Sequence, residues 1–451
     1  MKGIIIMMLA LAMLPLPGRA QDSVLDEYIR EGLESNHTLR QRNIDYTISL
    51  SKLKESRSLF FPDIDINARY TLARGGRVIE FPVGDLLNPV YSTLNMLTGT
   101  AQFPSIENQS FNFYRPREHE AKITMVQPIF NTDLIYNYRI NKEYSGIAHA
   151  DIGLYERELV KEIKTAYYTC YSALSMLELA DSTILLVKES LRVSRRLFDN
   201  DKITIDAVHR SEAELSKAEA ARARAVNYYE SSKSYFNFLL NRPLTTDFEP
   251  GQVQEPMPVP GLQQAQDHAL DKRGELDKIS SYISANDYAL KLDRSDNLPE
   301  ITGVVNYGYQ GKEYSFTADD DFVLASLVLQ WDLFRGMVNK HKTEQRKLES
   351  KKLQEIYREA EESIKMEVLN SYYSVLSAYD QVAAAGKQQE SARKAYRVVQ
   401  KRYEQGQATL LELTDARTAM TEANSDHISA VSNYFIKLAE MEYARGDEFT
   451  R

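Results

Sequence analysis

DIDINARYTLARG, Asp63 to Gly75, alternates with a period of two: Ile64, Ile66, Ala68, Tyr70 and Leu72 share one face, and Asp63, Asp65, Asn67, Arg69 and Thr71 the other. That period predicts a strand, and its length matches the roughly 9 to 11 residues that carry a tilted strand across a bilayer. A second stretch, EITGVVNYGYQG from Glu300 to Gly311, sets Ile301, Gly303, Val305, Tyr307 and Tyr309 against Glu300, Thr302, Asn306 and Gln310. Each has a returning strand, HEAKITMVQPIF from His119 and FVLASLVLQWDLF from Phe322, the latter with less distinct faces. On one strand alone such alternation more often marks the half-buried sheet of a soluble protein. Two hairpins, with Tyr70, Tyr307, Tyr309 and Trp331 where interfacial aromatics fall, favour a membrane sheet.

The hairpins sit at equivalent places because the chain is written twice. A register of 237 joins Leu25 to Leu262, Leu33 to Leu270, Leu39 to Leu276, Pro62 to Pro299 and Ile64 to Ile301. A register of 205 joins Glu162, Tyr167, Tyr168, Ser172 and Ala173 to Glu367, Tyr372, Tyr373, Ser377 and Ala378, and continues through Arg192/Arg397 to Tyr229/Tyr434. The first repeat therefore spans 21–250 and the second 251–451. Each reads helix, strand, loop, strand, very long helix, break, helix. The difference between the registers falls mostly in one loop of the first hairpin, Gly75 to Pro116 (75–117 with its flank), too apolar for simple disorder. The second hairpin, 299–334, has a short acidic loop instead.

The leading helix of the first repeat, from Asp26, is read as one element that ends at Phe61-Pro62. From about Leu134 to Phe198, and again from about Val338 to Tyr403, apolar residues recur every three or four positions without proline. Helices of that length, on the order of 90 to 100 Å, pack side by side as in coiled coils. Breaks follow near 199–204 and 404–408.

The first 20 residues, with an apolar run from Ile4 to Leu16 and small residues at Gly18 and Ala20, read as a secretory signal peptide. No later run of eighteen apolar residues occurs, so no transmembrane helix is expected. A single cysteine, Cys170, forbids an intrachain disulfide, and the net charge of −9 argues against nucleic acid as a partner. The seven histidines lack metal-ligand spacing and are read as surface residues. Gly75-Gly76 lacks the helix and lysine of a phosphate loop, and no nucleophile elbow is present. Neither catalysis nor a cofactor is expected. Asn36-His37-Thr38 and Asn108-Gln109-Ser110 match the glycosylation sequon, a pattern common by chance.

Four strands do not close a membrane barrel, and an open edge in lipid leaves backbone groups unsatisfied, so several chains must share one barrel. Taken with SLFFPDI and DNLPEI entering the first strands, QPIF and WDLF leaving the second, and RYEQGQATLLELTDA near the end, the plan resembles the TolC-type outer-membrane efflux family. The resemblance runs from about Asp26 to Glu442. It implies an α+β membrane protein: a homotrimer whose twelve-stranded β-barrel, four strands per chain, sits in outer-membrane lipid and continues into a helical periplasmic tube. It also implies a periplasmic adaptor and an inner-membrane pump of RND or ABC type as partners, and a passive exit duct as function. The other reading the residues leave open is a non-conducting periplasmic or surface coiled-coil scaffold or adhesin.

By matching position, the resemblance places Gln405, Gly406 and Gln407 at the helical tip that an adaptor touches, and Glu412 and Asp415 on the pore constriction. The first repeat offers Asn200, Asp201 and Lys202 at its own tip, with Lys202 and Asp206 as candidates for polar gating contacts. Here Asp201 stands where the second repeat has Gly406, and Asp tolerates the left-handed backbone of such a turn better than most residues.

Overall fold

The structure is a computed structural model that describes residues 24–251, 256–257, 261–312, 317–447 and 449; the expected signal peptide lies outside them. In the first repeat the order is α1 (Val24–Ser35), α2 (His37–Ser58), β1 (Asp63–Leu72), β2 (Val78–Phe81), α3 (Val83–Thr98), β3 (Gln109–Asn112), β4 (Arg117–Phe130), α4 (Thr132–Asp199) and α5 (Ile205–Leu239). In the second it is α6 (Leu262–Lys272), α7 (Gly274–Ser295), β5 (Glu300–Gly311), β6 (Asp321–Gln330), α8 (Val338–Glu404) and α9 (Leu410–Arg445). Two compact units cut across the repeats: a sheet unit of 51–142 and 285–349, and a helical unit made of the rest.

The sheet unit holds four antiparallel strands in the order β1-β4-β5-β6, so the two hairpins pair through β4 and β5. The register carries the alternation across all four strands. Ile66 pairs with Ile123, Ile123 with Tyr307, and Tyr307 with Val323; on the opposite face Asn67 pairs with Lys122 and Lys122 with Gly308. The middle of one face is thus apolar across all four strands and exposed, Ile66 at 76% and Leu327 at 71%, with Arg117, His119 and Asp321 towards one end of it and Gln127 towards the other. The other carries a polar ladder in which Glu120 accepts from Arg69 (3.2 Å) and from Lys122 (2.9 Å). β6 has apolar residues on both faces, since Leu324 and Val328 lie in phase with the polar face of β5. The outer edges of β1 and β6 are unpaired among the described residues. The loop 75–116 is folded: a two-stranded ribbon, β2 with β3, frames α3.

In the helical unit the duplication extends to single hydrogen bonds. The leading helix is not one element, as the sequence suggests, but two, broken at Asn36 in the first repeat and at Arg273 in the second, 237 residues on. Asn36 caps the new helix by accepting from the amides of Thr38 and Leu39, and its side-chain amide donates to Leu239 O (3.2 Å). Arg273 donates to Ala444 O (3.1 Å), and 239 and 444 are themselves related by 205. Each break is therefore held by a side chain that satisfies the open carbonyls at the end of the return helix. Asn36 is buried, which removes the first sequon as a glycan site.

Two apolar cores flank these breaks. Ile29, Leu39, Leu159, Ile163, Tyr167, Cys170 and Phe236 form the first; Leu276, Ile364, Val368, Val375, Tyr434 and Met441 form the second. The pairs Leu39/Leu276, Leu159/Ile364, Ile163/Val368, Cys170/Val375 and Phe236/Met441 obey the two registers. Burial pushes the Cys170 thiol up to about 12, so it stays a protonated, inert thiol.

One expectation is corrected. His119 is fully buried in the sheet unit rather than on the surface, beside the position where a side chain on Gly311 would collide with its ring. One stretch of α4 is long and apolar enough by length and composition to cross a membrane, at mean hydropathy 1.4. Leu159, Ile163 and Tyr167 of that same helix face the first core.

Candidate functional site: the paired helical tips

The turns that end α4 and α8 are the same object built from different residues. Asp201 and Gly406 both take a left-handed backbone, at φ +56° and +72°. In the first turn the amide of Asp201 donates to Phe198 O and that of Lys202 to Leu197 O; in the second, Gly406 donates to Tyr403 O and Gln407 to Arg402 O. This is the paired 5→2 and 6→1 closure that satisfies the last carbonyls of a helix. The aspartate at 201 thus keeps the turn, as its tolerance of that backbone suggests. The far ends of the return helices repeat the pattern, with Asn241 at φ +53° where the second repeat has Gly446 at +79°. Replacing Asp201 by glycine removes a side-chain penalty that Gly406 does not pay, and is expected to stabilise the first tip by several tenths of a kcal/mol, whereas Gly406→Val costs about 1 to 2 kcal/mol. Thermal unfolding of the two variants side by side checks the opposite signs.

The return helices start differently. Thr409 and Glu412 form a reciprocal capping box: the Thr409 hydroxyl accepts from the Glu412 amide (3.2 Å), and the Glu412 carboxylate accepts from the Thr409 amide (2.7 Å). Those hydrogen bonds hold the Glu412 carboxyl below its usual range. Of the two expected constriction residues, Glu412 is engaged in this cap, and Asp415, one turn on, is exposed on the same helix. In the first repeat Thr204 occupies the equivalent place, and its hydroxyl bonds to Asp206.

Between the tips runs an open groove of about 950 Å³. Lys202, Arg210 and Glu214 line it from the first repeat, and Gly406, Thr409 and Leu411 from the second. Gln405 and Asn200 are exposed at the turns.

What holds the tips together was not assigned from the sequence. Tyr403, almost wholly buried, shares a 2.7 Å hydrogen bond with Ser194 of α4, which in turn meets Ser211 of α5 at 3.0 Å. Val193, Leu197, Tyr396, Leu413 and Met420 complete this third core. Below it Arg417 of α9 donates to Glu214 of α5 at 2.5 Å, with the guanidinium buried. Burial raises the Glu214 pKa, but hydrogen bonds from Lys217 and Arg417 outweigh it and the net shift is downward. A lowered carboxylate stabilises the fold above its unfolded pKa and stops doing so as pH falls through its folded value. Glu275, bound by Arg273, shifts the same way. Stability is therefore expected to hold down to the ordinary glutamate value of 4.5 and to decline below it. Thermal midpoints across pH 3 to 6 for the parent and for Glu214→Gln, which flattens part of that decline, provide the check.

The chain thus joins a four-stranded sheet with an apolar face to duplicated long helical hairpins. Residues 266–446, most of the second repeat, match the family model described as outer membrane efflux protein. No curated protein sequence matches the chain significantly. Among solved structures, the Campylobacter jejuni CmeC outer-membrane channel superposes with a TM-score of 0.77 at 13% identity, over 94% of this chain and 85% of CmeC. The open state of the Neisseria gonorrhoeae MtrE outer-membrane channel gives 0.73 at 18% identity, over 94% and 88%. VceC from Vibrio cholerae gives 0.74 at 12%, over 94% and 96%. The TolC-type resemblance drawn from the repeats and motifs agrees with both the family model and the fold.

Proposed function

We propose that the chain is one of three that build an outer-membrane exit duct, a passive conduit of a tripartite efflux or secretion system and not an enzyme. The observation that carries this reading is the four-stranded sheet: the middle of one face is apolar across all four strands, the other face carries a polar ladder on β1, β4 and β5, and both edges are open among the described residues. In lipid such edges must be paired, and three copies supply twelve strands, an even number within the range of known barrels. The long helices that leave the same strands then continue the wall of the duct. At their far end the twin tips present the groove lined by Lys202, Gly406 and Leu411, with Asn200, Asp201, Gln405 and Gln407 around it, to a periplasmic adaptor. That adaptor couples the duct to an inner-membrane pump of RND or ABC type.

Glu412 and Asp415, three apart on α9, bring about six carboxylates towards the axis in a trimer. They narrow the inner opening and favour cations. Glu412→Gln with Asp415→Asn tests this without unmaking the helix start, because glutamine still serves in a capping box. In planar bilayers the double variant is expected to lose cation preference and block by divalent ions. Unchanged selectivity and block would remove these residues from the constriction.

A further inference from the structure

The two open edges of the sheet carry opposite charge at the same end. β1 runs through Leu72 and Ala73, whose amide is still bonded to Pro116 O, to the exposed Arg74; the exposed Arg77 follows the Gly75-Gly76 turn at the start of the β2–β3 ribbon, where its carbonyl accepts from the Phe113 amide. β6 begins at the exposed Asp321, with Asp319 two residues before it in the turn from β5. Among the described residues none of these four makes an ion pair. Within one chain the arginines and the aspartates lie on opposite edges of the sheet, with β4 and β5 between them.

We propose that Arg74 and Arg77 of one copy and Asp319 and Asp321 of the next form an ionic clasp at the outward end of the seam between chains. This rests on the shared-barrel reading. Four strands alternate in direction, so β6 of one copy meets β1 of the next antiparallel, and the end of β1 comes beside the start of β6. Phase agrees with position. The apolar face is carried by even-numbered residues on β1 and odd-numbered ones on β6, so a continuous apolar face across the seam must join even to odd. In that phase Arg74 and Asp321 fall on the same face. Opposite charges there favour the pairing of β6 with the next copy's β1.

The test uses the full-length protein in detergent. R74E/R77E and D319K/D321K are each expected to lower the temperature at which an SDS-resistant trimer dissociates, and the effect shrinks in high salt. Combining all four changes restores most of the loss, because the charges are exchanged across the seam. The pair R74C/D321C is expected to give disulfide-linked dimers and trimers on oxidation, with Cys170 buried and out of competition. If the parent is trimeric and the reversals leave dissociation unchanged, or the combined variant is no better than the weaker single pair, the clasp is overturned. The second result would point to lipid phosphates as the partners of the arginines. A parent that is monomeric in detergent would overturn the shared barrel itself, and the clasp with it.

Discussion

Ile66→Arg is expected to abolish assembly into the membrane, while Asn67→Arg, one residue along, is tolerated. Ile66 is 76% exposed in the single chain and sits mid-strand, in a row with Ile123, Tyr307 and Val323 on the apolar face. In the proposed barrel this face meets lipid, where an arginine near the midplane costs about 2 to 4 kcal/mol, once per copy of the chain. Asn67 belongs to the face that bears Arg69, Glu120 and Lys122, where another guanidinium joins an existing polar ladder. The comparison is internal, because both substitutions introduce the same residue at adjacent positions of one strand; the β propensity lost at Ile66 but not at Asn67 is at most about 1 kcal/mol, below the lipid-facing cost. Outer-membrane fractionation with heat-modifiable trimer bands reads the result. A soluble half-buried sheet predicts a different outcome, with neither site sensitive to lipid.

Arg273→Met is expected to destabilise the helical unit by about 3 to 5 kcal/mol, more than any surface change. The guanidinium is 6% exposed and makes bonds to Glu275 (2.7 and 3.0 Å), Glu367 (2.8 Å) and Ala444 O. It also lies 5.2 Å from the ring centre of Tyr443. Methionine keeps the volume but strips Glu367 and a helix-end carbonyl of this donor and leaves Glu275 only the longer contact to Arg157 (3.4 Å), and the charge left behind dominates the penalty. Adding Glu275→Gln should recover a substantial part by removing the more buried of the stranded charges. Asn36→Ala, its counterpart in the first repeat, breaks neutral hydrogen bonds only and should cost about 1 to 2 kcal/mol. The ratio between the two positions, measured by thermal unfolding, separates a charged lock from a neutral cap built at the same point of one duplicated plan.

Much of this was legible in the sequence for a physical reason: duplication and period-two alternation are local patterns that survive without knowledge of partners. The registers of 237 and 205 hold in the structure down to Asn36/Arg273 and Leu239/Ala444. β6 was the hardest strand to read because Leu324 and Val328 make both of its faces apolar. The break at Asn36 has a local signal that was passed over, an asparagine able to cap the next helix, whereas Arg273 is no helix stop by itself and is held by the Ala444 carbonyl 171 residues away. Long-range pairing also hid Arg417 with Glu214 and Tyr403 with Ser194, although Tyr403 and Arg417 stand in the stretch around the second tip that reads as functional. Loop 75–116 advertised its apolar content, but its ribbon and helix follow from contacts such as those of Asn88 and Asn95 with the 103–106 backbone. Glu412 shows that one residue can satisfy two local patterns: the spacing that suggests a pore ring is also the spacing of a capping box with Thr409.

The most direct test of the central claim is single-channel recording from the protein purified in detergent and added to a planar bilayer. The account predicts a stable trimer that inserts, conducts as one pore, and loses cation selectivity when Glu412 and Asp415 are neutralised. A protein that stays soluble and monodisperse without detergent, and adds no conductance to the bilayer, would contradict it.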